Sequence, residues 1–86
     1  MRLSSEFIPH VTDTESLLVP SGNAKFSGII KGNSTLGAIL ELLREDRTEQ
    51  EIITAMCQKY DATEDVIERD VRHVLEQLRK TGALED

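Results

Sequence analysis

Two histidines, one cysteine and a surplus of carboxylates are the side chains of this 86-residue chain that could do covalent or acid–base chemistry. His10 and His73 lie far apart in the sequence, and neither has a spaced cysteine or carboxylate cluster beside it. A zinc site needs about four spaced ligands, and one cysteine with two histidines supplies none of the usual patterns. Cys57, next to Met56, reads as a small core or half-exposed residue rather than an activated thiol. The glycines of Ser27-Gly28-Ile29-Ile30-Lys31-Gly32 precede a helix, yet they match neither a phosphate loop nor a dinucleotide fingerprint. Asn33-Ser34-Thr35-Leu36 is a poor match to the Asp-Ser-Leu of an acyl carrier. No enzyme, metal or cofactor reading emerges. What remains is binding chemistry, in the segment 63–81. There Ile67, Val71, Val74, Leu75 and Leu78 form a core stripe at helical period. Val66, Asp70, His73 and Gln77 form a second row round the same cylinder. A helix that only closes a core has no use for a shaped second row; the wall of a groove does.

The elements that must position this row follow from turn and capping signals. Phe7–Val11 reads as a strand with Pro9 at an edge, Thr12–Glu15 as a turn, and Ser16–Pro20 as a second strand. A turn over Ser21–Lys25 leads to a third strand, Phe26–Ile30, with Gly32 in the turn that follows. The short connections favour an antiparallel meander. Three helices come next. Asn33 or Ser34 caps the first, which buries Leu36, Ile39, Leu40 and Leu43. Thr48 and Glu51 form a capping box for the second, which buries Ile52, Ile53, Met56 and Tyr60. Thr63 caps the third, Glu64 and Asp65 suit its dipole, and Gly82 ends it. The expectation is a single α+β domain over residues 1–86, winged-helix-like, with a three-stranded antiparallel sheet followed by three helices.

Composition narrows the function classes. The net charge of −6 is concentrated in the second half, which repels phosphate backbones. A winged-helix DNA-binding transcriptional regulator is the alternative that the fold class raises. The third helix, however, sets Arg69, Arg72, Arg79 and Lys80 against Glu64, Asp65, Glu68, Asp70 and Glu76, a poor lining for duplex DNA. With a lone cysteine, no apolar run of spanning length and no signal-like start, the chain reads as cytoplasmic.

The order of these elements, with several residues in them, resembles the PqqD-like family, also called RiPP recognition elements. Its first-helix pattern, N-E-T-G-A-x-I-W-E-L-L, aligns without a gap with Asn33-Ser34-Thr35-Leu36-Gly37-Ala38-Ile39-Leu40-Glu41-Leu42-Leu43, with Leu40 where the family often has Trp. R-T-x-E-E-I aligns with Arg47-Thr48-Glu49-Gln50-Glu51-Ile52, and Y-D-V with Tyr60-Asp61-Ala62. D-V-x-x-F-L-x-x-L is met by Asp70 to Leu78, with Val74 in place of Phe, and the ending G-x-L by Gly82-Ala83-Leu84. The resemblance implies a non-catalytic peptide chaperone of natural product biosynthesis. It would bind the leader segment of a ribosomally synthesised precursor peptide and present it to a separate modifying enzyme, by family analogy a radical S-adenosylmethionine maturase. The leader would add as a strand beside the third strand and pack against the third helix. Lys25, Phe26, Ser27, Gly28, Ile29 and Ile30 would supply the edge, with Gly28 leaving room for a bulky leader side chain. Val66, Arg69, Asp70, His73 and Gln77 would supply the helical wall. An exposed edge strand leaves homodimerisation open.

Overall fold

The structure, a computed structural model, describes residues 1–22 and 28–85. Strand β1 (Arg2–Leu3) is followed by β2 (Phe7–Val11), β3 (Ser16–Pro20) and β4 (Ile30–Gly32). Helices α1 (Ser34–Leu42), α2 (Glu49–Lys59) and α3 (Glu64–Thr81) come next, and β5 (Leu84–Glu85) closes the chain. β2, β3 and β4 form an antiparallel meander in that order, so β4 is an edge. The α+β expectation of three sheet strands followed by three helices is met.

Alternation along β2 and β3 sends Phe7, Ser16 and Leu18 inward against α1, while Ile8, Leu17 and Val19 point outward. The core is almost wholly aliphatic. Leu18, Ile39, Leu40, Leu43, Ile52, Val71 and Leu75 are completely buried where the sheet meets the three helices. Close approach of α1 to β3 needs Gly37: a Cβ there would collide with the Ser16 hydroxyl and stand 3.0 Å from a Val11 methyl.

The helix signals are realised in most details. The Asn33 side chain accepts from the amides of Thr35 (3.1 Å) and Leu36 (3.3 Å). The α2 capping box is complete: the Thr48 amide donates to Glu51 Oε1 at 2.9 Å and the Glu51 amide to Thr48 Oγ1 at 3.1 Å. These bonds, the backbone one foremost, hold the Glu51 carboxyl below its usual range. Gly82 ends α3 with φ 81°, and the amides of Gly82 and Ala83 turn back onto the carbonyls of Arg79 and Leu78. Thr63 stands at the N-cap of α3 with extended backbone, but its side chain makes no capping bond.

Two features depart from the sequence reading. Among the described residues the third sheet strand is Ile30–Gly32, so Gly28 and Ile29 of the expected Phe26–Ile30 strand precede it, while Phe26 and Ser27 lie outside the described residues. Register with β3 decides this, pairing Leu18 with Ile30, Leu17 with Lys31 and Ser16 with Gly32. Gly32 therefore belongs to the strand, while Gly28 lies ahead of it with φ 143°, in the region that favours glycine. The other departure is a short β1–β5 ribbon, pairing Arg2 with Glu85 and Leu3 with Leu84. Two-residue strands carry no periodic signal, and this pairing joins segments at opposite ends of the sequence. The Met1 amine anchors the same region, meeting Asp46 Oδ1 at 2.7 Å and the Arg47 carbonyl at 2.9 Å. Its hydrogen bond and charge hold the Asp46 carboxyl low.

Candidate functional site: a groove along the third helix

α3 is amphipathic, and its buried stripe Ile67, Val71, Leu75 and Leu78 leaves the Val66–Asp70–His73–Gln77 row turned to solvent. Three adjoining hollows follow this row. The first, about 200 Å³, is walled by Val66, Ile67, Asp70 and Val71 of α3, Met56 and Tyr60 of α2, with Ala62 and Thr35. Tyr60 is held there by a long contact (3.5 Å) from its hydroxyl to the Ser34 carbonyl. The second, about 270 Å³, lies between Lys31, Gly32 and Asn33 on one side and Asp70, His73, Val74 and Gln77 on the other, with Thr35 and Leu36 completing it. The third, about 320 Å³, is bounded by Ile30, Gln77, Lys80 and Thr81. Thr35 and Asp70 are common to the first two hollows and Gln77 to the last two. They therefore join into one groove along α3, with β4 as the other bank of the second and third hollows and α2 with Thr35 as that of the first.

The character of the lining changes along the groove. Around Val66, Met56 and Tyr60 it is largely apolar. In the middle it carries Asp70, His73, Lys31, Asn33 and Gln77, and at the far end Lys80 stands beside Ile30. Among the described residues the side chains of Asp70, His73, Gln77 and Lys31 have no hydrogen-bond or ion-pair partner. These side chains are therefore uncommitted.

Of the residues singled out from the sequence, the structure brings Ile30, Val66, Asp70, His73 and Gln77 to this groove. Arg69 is exposed on α3 but lines none of the hollows. Gly28 and Ile29 precede β4 and do not line it either, and Lys25, Phe26 and Ser27 lie outside the described residues. Lys31, Asn33, Thr35, Tyr60 and Lys80 line the groove but were not anticipated in it. Lys31 enters the groove because register with β3 places the strand at Ile30–Gly32, later than the apolar pattern predicts. Tyr60 was read as core, and it does pack against the core while presenting another edge to the groove.

Among the described residues no group of three or more His, Cys, Asp and Glu side chains is placed to hold a metal ion, and Cys57 is a half-buried free thiol. No described helix is long and apolar enough to cross a membrane. Arg72 on α3 is engaged by Glu68 at 2.7 Å and Glu49 at 3.5 Å, and Lys80 by Glu76 at 3.8 Å. Bases so paired give duplex DNA little to hold.

Comparison with known proteins agrees with this geometry. Residues 13–84 match the family model of coenzyme PQQ synthesis protein D (PqqD). A solved structure of TbiB1 in complex with the TbiA(β) leader peptide superposes with a TM-score of 0.81 at 26% identity, covering 99% of this chain and 95% of that one. No curated protein sequence matches the chain.

Proposed function

The chain belongs to the PqqD family, and on that premise we propose that it binds the leader segment of a ribosomally synthesised precursor peptide, without catalysing a reaction itself. The leader adds as a strand beside β4, packs against α3, and is thereby held for a separate modifying enzyme. By family analogy that enzyme is a radical S-adenosylmethionine maturase.

The observation that carries this reading is the groove between the β4 edge and Asp70, His73 and Gln77, continued at Val66 by a hollow against α2. An edge strand presents unpaired backbone amides and carbonyls, and an extended peptide satisfies them by augmenting the sheet. The two edges of this sheet are not equivalent. β2 carries Pro9, which has no amide to donate, whereas β4 presents the amide and carbonyl of Lys31 away from β3. From Val66 to Thr81 the groove follows about 22 Å of helix, room for roughly six or seven extended residues. Main-chain pairing gives affinity, and the change from an apolar pocket at Val66 to polar groups at Asp70 and His73 gives specificity. The complex of TbiB1 with a leader peptide supports the same reading by similarity.

Titrating the full chain with the precursor peptide encoded beside it tests the proposal. Saturable binding by the leader alone, retained when the remainder of the precursor is deleted, is the expected result. No binding by the leader at concentrations up to the millimolar range would overturn it.

A further inference from the structure

Tyr60 borders two hollows, and the leader groove uses only one of them. On one side of the residue lies the apolar hollow of about 200 Å³ against Met56, Val66 and Val71. On the other lies a hollow of about 230 Å³ between α1, the end of α2 and the turn joining β2 to β3. Buried Gly37 and Ala38 and the 38% exposed Val11 line this second hollow, with exposed Asp13, Glu41 and Lys59 around them. Among the described residues Tyr60 alone lines both. Apolar packing rather than polar contact fixes it there. Tyr60 stands at the C-cap of α2 with extended backbone and packs against the core. Its hydroxyl meets the Ser34 carbonyl only at 3.5 Å, beyond the usual range for such a bond. Lys59 Nζ is 6.0 Å from the ring centroid, the outer limit of cation–π attraction.

No residue of β4 lines the first hollow, so a leader paired with Lys31 fills it only with a side chain from beyond the added strand. An apolar cavity of about 150 Å³ already holds a benzene ring. The space that Tyr60 leaves therefore suits one branched aliphatic or single-ring side chain. We propose that Tyr60 is the size-selecting residue of the leader site. Its ring walls the first hollow from the second, admits a leader side chain of that bulk and excludes a two-ring one, for which the hollow behind it is the missing room. The proposal rests on the leader-binding reading above and adds to it the class of side chain that the leader carries.

Tyr60→Ala and Tyr60→Phe in the full chain test this, with the leader of the precursor encoded beside it as the probe. A double-mutant cycle first finds the apolar leader residue whose change to alanine is least additive with Val66→Ala, which marks the occupant of the first hollow. That leader residue is then made Leu, Phe or Trp, and each peptide is titrated by calorimetry. The parent and Tyr60→Phe should bind the Leu or Phe peptide about tenfold or more tighter than the Trp peptide, and Tyr60→Ala should reverse the order. Loss of stability alone weakens all three peptides together and does not invert a ranking. If Tyr60→Ala lacks the parent's circular dichroism spectrum, Tyr60→Leu, which keeps an apolar side chain against the core, should give the same reversal. One ranking shared by every folded variant overturns the proposal, as does the absence of any leader residue coupled to Val66. In both cases binding of the unaltered leader keeps the leader reading standing, whereas a parent chain that binds no leader fells both.

Discussion

Replacing Val66 by glutamate should make the fold more stable and the peptide complex weaker, two effects of opposite sign from one side chain. Val66 is the third residue of α3, the position whose acidic side chain closes a capping box with the N-cap residue. α2 shows the completed arrangement in Thr48 and Glu51, whereas at α3 Thr63 makes no side-chain bond and the box is left open by valine. A glutamate there satisfies backbone amides and opposes the helix dipole, worth about 1 kcal/mol. Repulsion from Asp70, one turn on, takes back about 0.2–0.5 kcal/mol. The net gain of about 0.5 kcal/mol corresponds to a rise in Tm of about 2–4 °C for a domain of this size. For binding, full burial of a valine is worth about 1.5–3 kcal/mol. Val66 is 42% exposed in the free protein, so a leader can gain at most that fraction. About 0.6–1.3 kcal/mol is then at stake, roughly 3- to 9-fold in Kd. A carboxylate trapped in the apolar pocket beside Asp70 adds to this loss, and the total should exceed about tenfold. Calorimetric titration with leader peptide and thermal unfolding of the same variant read both numbers. Unchanged affinity would refute the assignment of the pocket, and a fall in Tm would refute the capping argument.

Other expectations follow from single contacts. Gly37→Ala should destabilise the fold by about 1–3 kcal/mol despite better helix propensity, because the new methyl meets Ser16. Ser16 Oγ is buried with no hydrogen-bond partner, so Ser16→Ala should be neutral or stabilising. The double variant should recover most of the Gly37→Ala loss in denaturant unfolding, and simple additivity would sink this account of the α1–β3 contact. Gly82→Ala, at φ 81° with open space around it, should cost about 1–2 kcal/mol through backbone strain alone, measured as a lowered midpoint in urea. Glu51 has a lowered pKa in the folded chain, so its contribution to stability is present above its unfolded pKa and lost as pH falls through the lower folded value. Glu51→Gln should therefore lose stability at neutral pH and show a shallower acid decline in Tm, and an acid limb parallel to that of the parent would contradict this.

How much of this was legible depends on the range of the interactions involved. Helix limits could be read because caps are local: Asn33, Thr48, Glu51 and Gly82 act within a few residues of themselves. The second row of α3 could be read because 3.6-residue periodicity places Asp70, His73 and Gln77 on one face without knowledge of any other element. The start of β4 could not. The apolar residues Phe26, Ile29 and Ile30 make a strand beginning at 26 look reasonable, but pairing with Ser16–Leu18 sets the register, and that is a contact between segments. Missing Lys31 and Asn33 from the groove was the direct consequence. Tyr60 illustrates a different limit, since one ring can pack on the core and still border a hollow. The β1–β5 ribbon is all long-range pairing and left no local mark.

The central claim is that a leader peptide becomes the next strand of the sheet at β4, against α3. Amide hydrogen exchange of the full chain, with and without saturating leader, tests it most directly. The account predicts new protection at the Lys31 amide, which points away from β3, with NMR shifts at Val66, Asp70, His73 and Gln77 and little change along β2. Protection at Phe7–Val11 with β4 unaffected, or binding that leaves both the β4 amides and the α3 row unchanged, would contradict it.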